Sequence, residues 1–198
     1  MKQVLLLLCK GTEIYEAAAF HDVIGWADDV GDTLIKMVTV SVEPEITCTF
    51  GLRVIPDRLL ADINVDDFDA LAIPGGFHSF GFYDDAYSDM VGEVIRRFDE
   101  QEKPIAAICV GALAIGRSGV LTGRNATTYH LMGGGRRNQL AQFGVDVVDA
   151  QVVTDGNIIT STSPATAMEV AFTLVEHLTG KPNADKVRTL MGFPTDRT

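Results

Sequence analysis

The chain reads as an α/β sandwich, a mainly parallel sheet with helices packed on both faces. Three observations predict this. Short unbroken apolar runs at residues 4–9, 70–73 and 105–108 have the pattern of strands covered on both faces, not the alternation of a half-exposed strand. Segments of helical character stand between the strands. Polar or glycine-rich residues follow each of the three apolar runs: residues 10–16, Gly75-Gly76 and Cys109. Ligands of such sheets bind at the carboxyl ends of the strands, so these three features are expected on one rim.

The elements follow in order. Residues 4–9 form the first strand, and a helix over 16–30 places Ala19, Phe20, Val23, Ile24 and Ala27 at helical spacing. Residues 34–42 are rich in β-branched side chains and predict a second strand. A short strand at 52–55 ends at Pro56-Asp57, and another at 70–73 is closed by Pro74-Gly75-Gly76. Residues 86–101 are a polar helical surface segment, and 105–108 are the strand before Cys109. Residues 145–153 and 157–161 read as late strands, with Asp155-Gly156 as the turn. Ser163 is an N-cap with Pro164 at the first helical position, and that helix runs to Thr179, where Gly180 stops it. The pattern predicts one domain over 1–180 and a C-terminal extension over 181–198, a helix with a tail.

Composition narrows the function. The chain has 198 residues, 46% of them hydrophobic, which suits one domain with a real core. Net charge is −11, and this opposes binding to a nucleic-acid backbone, for which the Arg136-Arg137 pair is too small a cluster. Cys9, Cys48 and Cys109 are odd in number and lack the spacing of a disulfide framework, so a reducing cytoplasm fits best. The N-terminal nine residues superficially resemble a lipoprotein signal. Their apolar stretch is too short, and Leu8 stands where a small residue is expected. No segment approaches transmembrane length, so no membrane partner is expected.

Cys109 is the most informative residue. It lies between a buried strand and the small-residue helical pattern of Val110-Gly111-Ala112-Leu113-Ala114-Ile115-Gly116, as at a nucleophile elbow. The helix N-terminus is expected to favour its thiolate. The alternative is a small apolar core cysteine. Glu16, at the start of the first helix, is either a carboxylate satisfying the helix dipole or, beside a thiolate, a group that keeps its proton and donates it. Glu13 competes for that role. Gly75-Gly76 is turn chemistry that also lets backbone amides face an oxyanion, and the amides of Gly76 and Val110 are the oxyanion-hole candidates. His130 is a catalytic candidate, while Gly75 and His78 are weaker substrate-binding candidates. His21 and His177 read as ordinary helix residues. No zinc-ligand spacing joins histidines and cysteines, and neither a metal nor a cofactor is expected. Gly133-Gly134-Gly135-Arg136-Arg137 lacks the lysine and hydroxyl pattern of a phosphate cradle.

These stretches together resemble the ThiJ/PfpI superfamily, the family of the parkinsonism-associated deglycase, PfpI-type intracellular proteases and isocyanide hydratases. The likeness covers residues 2–180. It rests on 4–16, on Asp69-Ala-Leu-Ala-Ile-Pro-Gly-Gly76, on Ala106-Ala-Ile-Cys-Val-Gly111, on 121–128 with His130, and on 155–161 before the final helix. The resemblance implies a class I glutamine amidotransferase-like, flavodoxin-like three-layer sandwich, with a cysteine nucleophile at Cys109 and a hydrogen-bonding glutamate at Glu16. It also implies a homodimer. His130 falls near the family's histidine, with Tyr129 inserted beside it. The aromatic loop 77–83 departs from the deglycase branch, and Phe50 stands where that branch has a substrate-facing arginine. The expected function is a cysteine-dependent enzyme acting on a small-molecule electrophile, a reactive carbonyl or an amide-like group. The alternatives are a redox-sensing or chaperone-like stress protein with an oxidisable Cys109, and a non-catalytic ligand-binding module.

Overall fold

The computed structural model describes residues 1–195; the last three residues of the predicted tail lie outside the described part. The chain runs β1 (Lys2–Leu7), α1 (Ile14–Val30), β2 (Ile35–Ser41), β3 (Ile46–Thr47), β4 (Arg53–Val54), β5 (Arg58–Leu59), β6 (Ala70–Ile73), α2 (Phe82–Ala86), α3 (Asp89–Glu100) and β7 (Ile105–Ala107). It continues with α4 (Gly111–Ser118), β8 (Asn125–Ala126), α5 (Gly135–Ala141), β9 (Asp146–Val147), β10 (Val152–Asp155), β11 (Ile158–Ser161), α6 (Ala167–Thr179) and α7 (Lys181–Leu190). The main sheet has the order β10-β11-β7-β6-β1-β2-β5. Its strands pair in parallel except β10, which joins β11 as an antiparallel hairpin.

The apolar runs explain the centre of this sheet. Val4, Leu5, Leu6 and Leu7 of β1 and all four residues of β6 are buried, as strands with helices on both faces require. Helices α1, α6 and α7 pack together on one face, and α3 and α4 form the layer on the other. The stripe read from the sequence of α1 is the one it buries, with Glu16 buried beside it. In α3, Ser88 caps the first turn, its Oγ accepting from the Val91 N–H at 3.3 Å, and Val91, Val94, Ile95 and Phe98 face the core. Gly180, at φ 87°, ends α6 as expected, and α7 then docks back. Buried Arg188 of α7 pairs with Glu169 at 2.7 Å and lies 4.3 Å over the Phe172 ring, fixing the described part of the extension to α6.

Three expected elements differ. Residues 52–55 do not enter the main sheet, because β4 pairs only with β3 in a separate hairpin. The stretch 86–101 is broken at Tyr87-Ser88, where the Ser88 cap restarts the helix. Residues 145–153 are two strands, not one. Here β9 pairs in parallel with β8, the chain turns, and only from β10 does it join the main sheet. The β10–β11 turn is as read, with Asp155 opposite Ile158.

Because β1, β6, β7 and β11 are parallel, their carboxyl ends share one rim. Residues 8–13, 74–76, 108–110 and 162–165 therefore meet there.

Candidate active site

Cys109 sits between β7 and α4 at φ 56°, a left-handed conformation uncommon for a residue with a Cβ. The surroundings impose it. The Cys109 N–H donates to the Ser161 carbonyl at 3.0 Å, and the Gly111 N–H to the Ile108 carbonyl at 2.8 Å. The Thr128 hydroxyl donates to the Cys109 carbonyl at 2.8 Å. A Cβ at Gly111 would lie 2.5 Å from the Ile73 carbonyl oxygen, so glycine lets α4 start this close to β6. The elbow expected from the sequence is present.

Glu16, on the first turn of α1, is 0% exposed. Its Oε2 accepts from the Gly75 N–H at 2.6 Å. Its Oε1 is buried without an ordinary hydrogen-bond partner, and the carboxyl meets the Cys109 thiol directly. Burial is the main cause that pushes its pKa up, to about 8. Gly75 permits this contact, since a Cβ there would stand 2.9 Å from Glu16 Oε2 and 3.0 Å from the Val110 nitrogen. Glu13 stands at the residue before α1 without a side-chain capping bond, lines the same cavity and is also pushed upward by burial.

The thiol departs from expectation. Its contact with the Val110 N–H favours the thiolate, as a helix N-terminus should, but burial pushes the thiol up and outweighs it. A charged Glu16 would push it further. The physical reason is desolvation: Cys109 is only 9% exposed. At neutral pH the resting pair therefore holds protons on both groups.

The backbone amides sort themselves. Thr12 and Gly76 form an antiparallel bridge whose hydrogen bonds run from the Glu13 N–H to the Gly75 carbonyl and from the Phe77 N–H to the Gly11 carbonyl. The Gly75 amide is taken by Glu16, so it is not free for a substrate. The amides of Gly76 and Val110 donate to no oxygen among the described residues.

These groups open onto a cavity of about 420 Å³ lined by Glu13, Glu16, Gly76, Phe77, His78, Cys109, Val110 and Tyr129, and by Leu131, Met132, Arg136, Ser163, Pro164 and Ala165. His78 is there, its ring 5.8 Å from that of Tyr83. His130 is not. Tyr129 lines the cavity in its stead, while the Nδ1 of His130 is buried without a partner. Adjacent residues of an extended segment point to opposite sides, so one position decides which of them faces the cavity. Sequence reading missed Ser163, Pro164 and Ala165 as cavity residues. Their signal was their place just after β11, the same signal that marked the other three loops. It also set aside Arg136, because nothing in the Arg136-Arg137 pair says which of the two faces the cavity. Among the described residues no group of three or more His, Cys, Asp or Glu side chains is placed to hold a metal ion, and no helix is long and apolar enough to cross a membrane.

A buried cysteine on a strand–helix elbow, paired with a buried glutamate at the rim of a parallel sheet, defines a protein of the ThiJ/PfpI type. The model of the DJ-1/PfpI family matches residues 2–177, and the chain belongs to that family. It is 31% identical to Protein dj-1beta of Drosophila melanogaster over 188 residues, 94% of each chain. The crystal structure of that protein superposes with a TM-score of 0.85 at 30% identity, covering 98% of both chains. Protein DJ-1 homolog A of Arabidopsis thaliana is 32% identical over 193 residues, 96% of this chain, which spans about half (46%) of that protein's length. Deglycase PfpI of Pyrococcus furiosus is 34% identical over 119 residues, 60% of this chain and 68% of that one.

Proposed function

We propose that this protein is a cysteine-dependent enzyme that acts on a small electrophile, a reactive carbonyl or an amide-like group, through Cys109. The observation that carries this reading is the convergence on one cavity of the Cys109 thiol, the buried Glu16 carboxyl, and the Gly76 and Val110 amides, which donate to no oxygen among the described residues. In the first step the Cys109 sulfur forms a bond to the carbonyl carbon, and the π electrons of the carbonyl move to its oxygen. The Gly76 and Val110 amides donate to that oxygen as charge develops. The step starts from the minor fraction of the protein in which Glu16 is ionised near neutral pH: that carboxylate takes the thiol proton and gives it to the oxygen, leaving a neutral adduct. A carboxyl with a pKa near 8 suits such a shuttle, because it changes protonation state near neutral pH. Glu13, Tyr129 and His78 are further cavity groups able to exchange a proton. A relative's name as a deglycase supports a carbonyl-derived substrate.

A turnover screen on small aldehydes, amides and isocyanides, comparing wild type with Cys109→Ser, tests the reading. The variant should lose activity while keeping its melting temperature, because serine is nearly isosteric and ionises far less readily than a thiol. No turnover of any such compound by the wild type would refute it. The second reading, an oxidation sensor, is favoured by one feature. The unpartnered side of protonated Glu16 and the Gly76 and Val110 amides would satisfy the oxygens of a sulfinate. Clean conversion of Cys109 to sulfinate by mild peroxide, with no turnover, would select it.

A homodimer belongs to the same proposal. Phe50, Phe77 and Phe80 form an exposed aromatic group with centroids 5.8–6.4 Å apart, and Leu52 and Ile55 are exposed nearby in the sequence. An exposed apolar group of this kind supports burial in a partner. A cytoplasmic location is proposed as well, on the three free thiols.

A further inference from the structure

Among the described residues, Arg136 is the one guanidinium in the wall of the cavity. Of the described arginines that are wholly or partly buried, Arg124, Arg137 and Arg188 each have a carboxylate at hand: Asp99 at 2.8 Å, Asp149 at 2.5 Å and Glu169 at 2.7 Å. Arg136 is partly buried too, yet among the described residues no carboxylate lies within ion-pair distance of it. In a chain of net charge −11 such a cation stands out. Neutral groups hold it in place. Its Nη1 donates to Gln139 Oε1 at 2.9 Å, Gln139 in turn donates to the Tyr87 hydroxyl at 2.7 Å, and the guanidinium lies 5.1 Å over the Tyr83 ring. Beneath it the Tyr83 hydroxyl is buried with no hydrogen-bond partner. This ring lies within electrostatic reach of both Arg136 and Cys109. A fixed, partly desolvated guanidinium without a counter-charge is arranged for an anion that arrives with a ligand.

We propose that Arg136 binds a carboxylate on the substrate, so that the cavity takes a small carbonyl compound bearing one carboxylate on an apolar body. The apolar body matches Phe77, Val110, Leu131, Met132, Pro164 and Ala165, which make up most of the remaining wall. A single negative charge matches a single guanidinium, and Glu13 in the same wall, when ionised, would repel a dianion such as phosphate more strongly than a monoanion. The proposal rests on the reading of Cys109 as nucleophile only for where the carbonyl points; anion binding at Arg136 is separable from it.

Titration calorimetry with benzoylformate and its neutral amide, benzoylformamide, tests the inference. The wild type should bind the acid at least tenfold more tightly than the amide. Arg136→Met should bring the two within twofold, and Arg136→Lys should keep part of the preference, with circular dichroism confirming that both variants fold. Inorganic phosphate at the same concentration should not displace benzoylformate. Equal affinity for acid and amide in the wild type, no binding of either, a preference that survives Arg136→Met, or displacement by phosphate would each overturn the assignment. Turnover of the neutral phenylglyoxal by wild type, measured in parallel, keeps the two readings distinct. Turnover without acid preference removes the role of Arg136 alone, and acid preference without turnover removes the nucleophile reading alone.

Discussion

Replacing Glu16 with glutamine should stabilise the protein at neutral pH and leave it unchanged in mild acid. In the unfolded chain this carboxyl ionises near 4.5; in the folded chain burial holds its pKa up at about 8. Between those values the folded state binds one proton more than the unfolded state, so stability falls as pH rises through the window. Each pH unit inside it costs about 1.4 kcal/mol, so at pH 7 the loss from this group is on the order of 3 kcal/mol. Glutamine has no ionisation to suppress. Its carbonyl can accept from the Gly75 N–H, as Glu16 Oε2 does at 2.6 Å, and its amide can donate to the Cys109 sulfur. Urea unfolding of both proteins from pH 4 to 8 isolates the effect, because every other titrating group is common to the two. The stability difference should open above pH 4.5, reach roughly 3 kcal/mol by pH 7 and level off near pH 8. A difference that does not vary with pH, or a variant less stable than wild type at pH 8, would show that Glu16 is not a protonated buried carboxyl. Its retention despite such a cost is what a catalytic proton carrier would explain.

Four further outcomes follow, three from the same site and one from the exposed aromatic group. Cys109 should alkylate faster than Cys9 or Cys48, which are 1% and 0% exposed, and its rate should climb through neutral pH without a plateau; peptide mass spectrometry after pulse labelling reads both. Above pH 8, where Glu16 carries charge, Glu16→Gln should label Cys109 faster than wild type, while Glu16→Leu, which offers no donor, should fall behind the glutamine variant in the same assay. Gly75→Ala should cut turnover at least tenfold, since its Cβ would press on both Glu16 and the Val110 amide, and a pH–rate profile displaced from that of wild type would place the damage at Glu16. Sedimentation over a concentration series should give a dimer that Phe50→Asp dissociates toward monomer.

What the sequence settled by itself was whatever depends on local periodicity and backbone chemistry. The apolar runs at 4–9, 70–73 and 105–108 marked the buried strands, which end at Leu7, Ile73 and Ala107, because such runs leave no side for water, and parallel strands then put Glu16, Gly76 and Cys109 on one rim. Cys109 at the elbow was legible for the same reason, since an apolar strand running into a small-residue helix leaves one sharp turn between them. Only the tertiary structure decided matters that turn on a single residue's direction or on distance through space. Tyr129 faces the cavity and His130 does not, because neighbours in an extended segment point opposite ways and nothing in their spacing says which is inward. The Gly75 amide is spent on Glu16 while the Gly76 amide is left free, a division fixed by the Thr12–Gly76 bridge between loops more than 60 residues apart. The thiol of Cys109 is pushed up although it starts a helix, because desolvation depends on everything packed around it, whereas the helix N-terminus, the part a sequence can display, contributes only one amide.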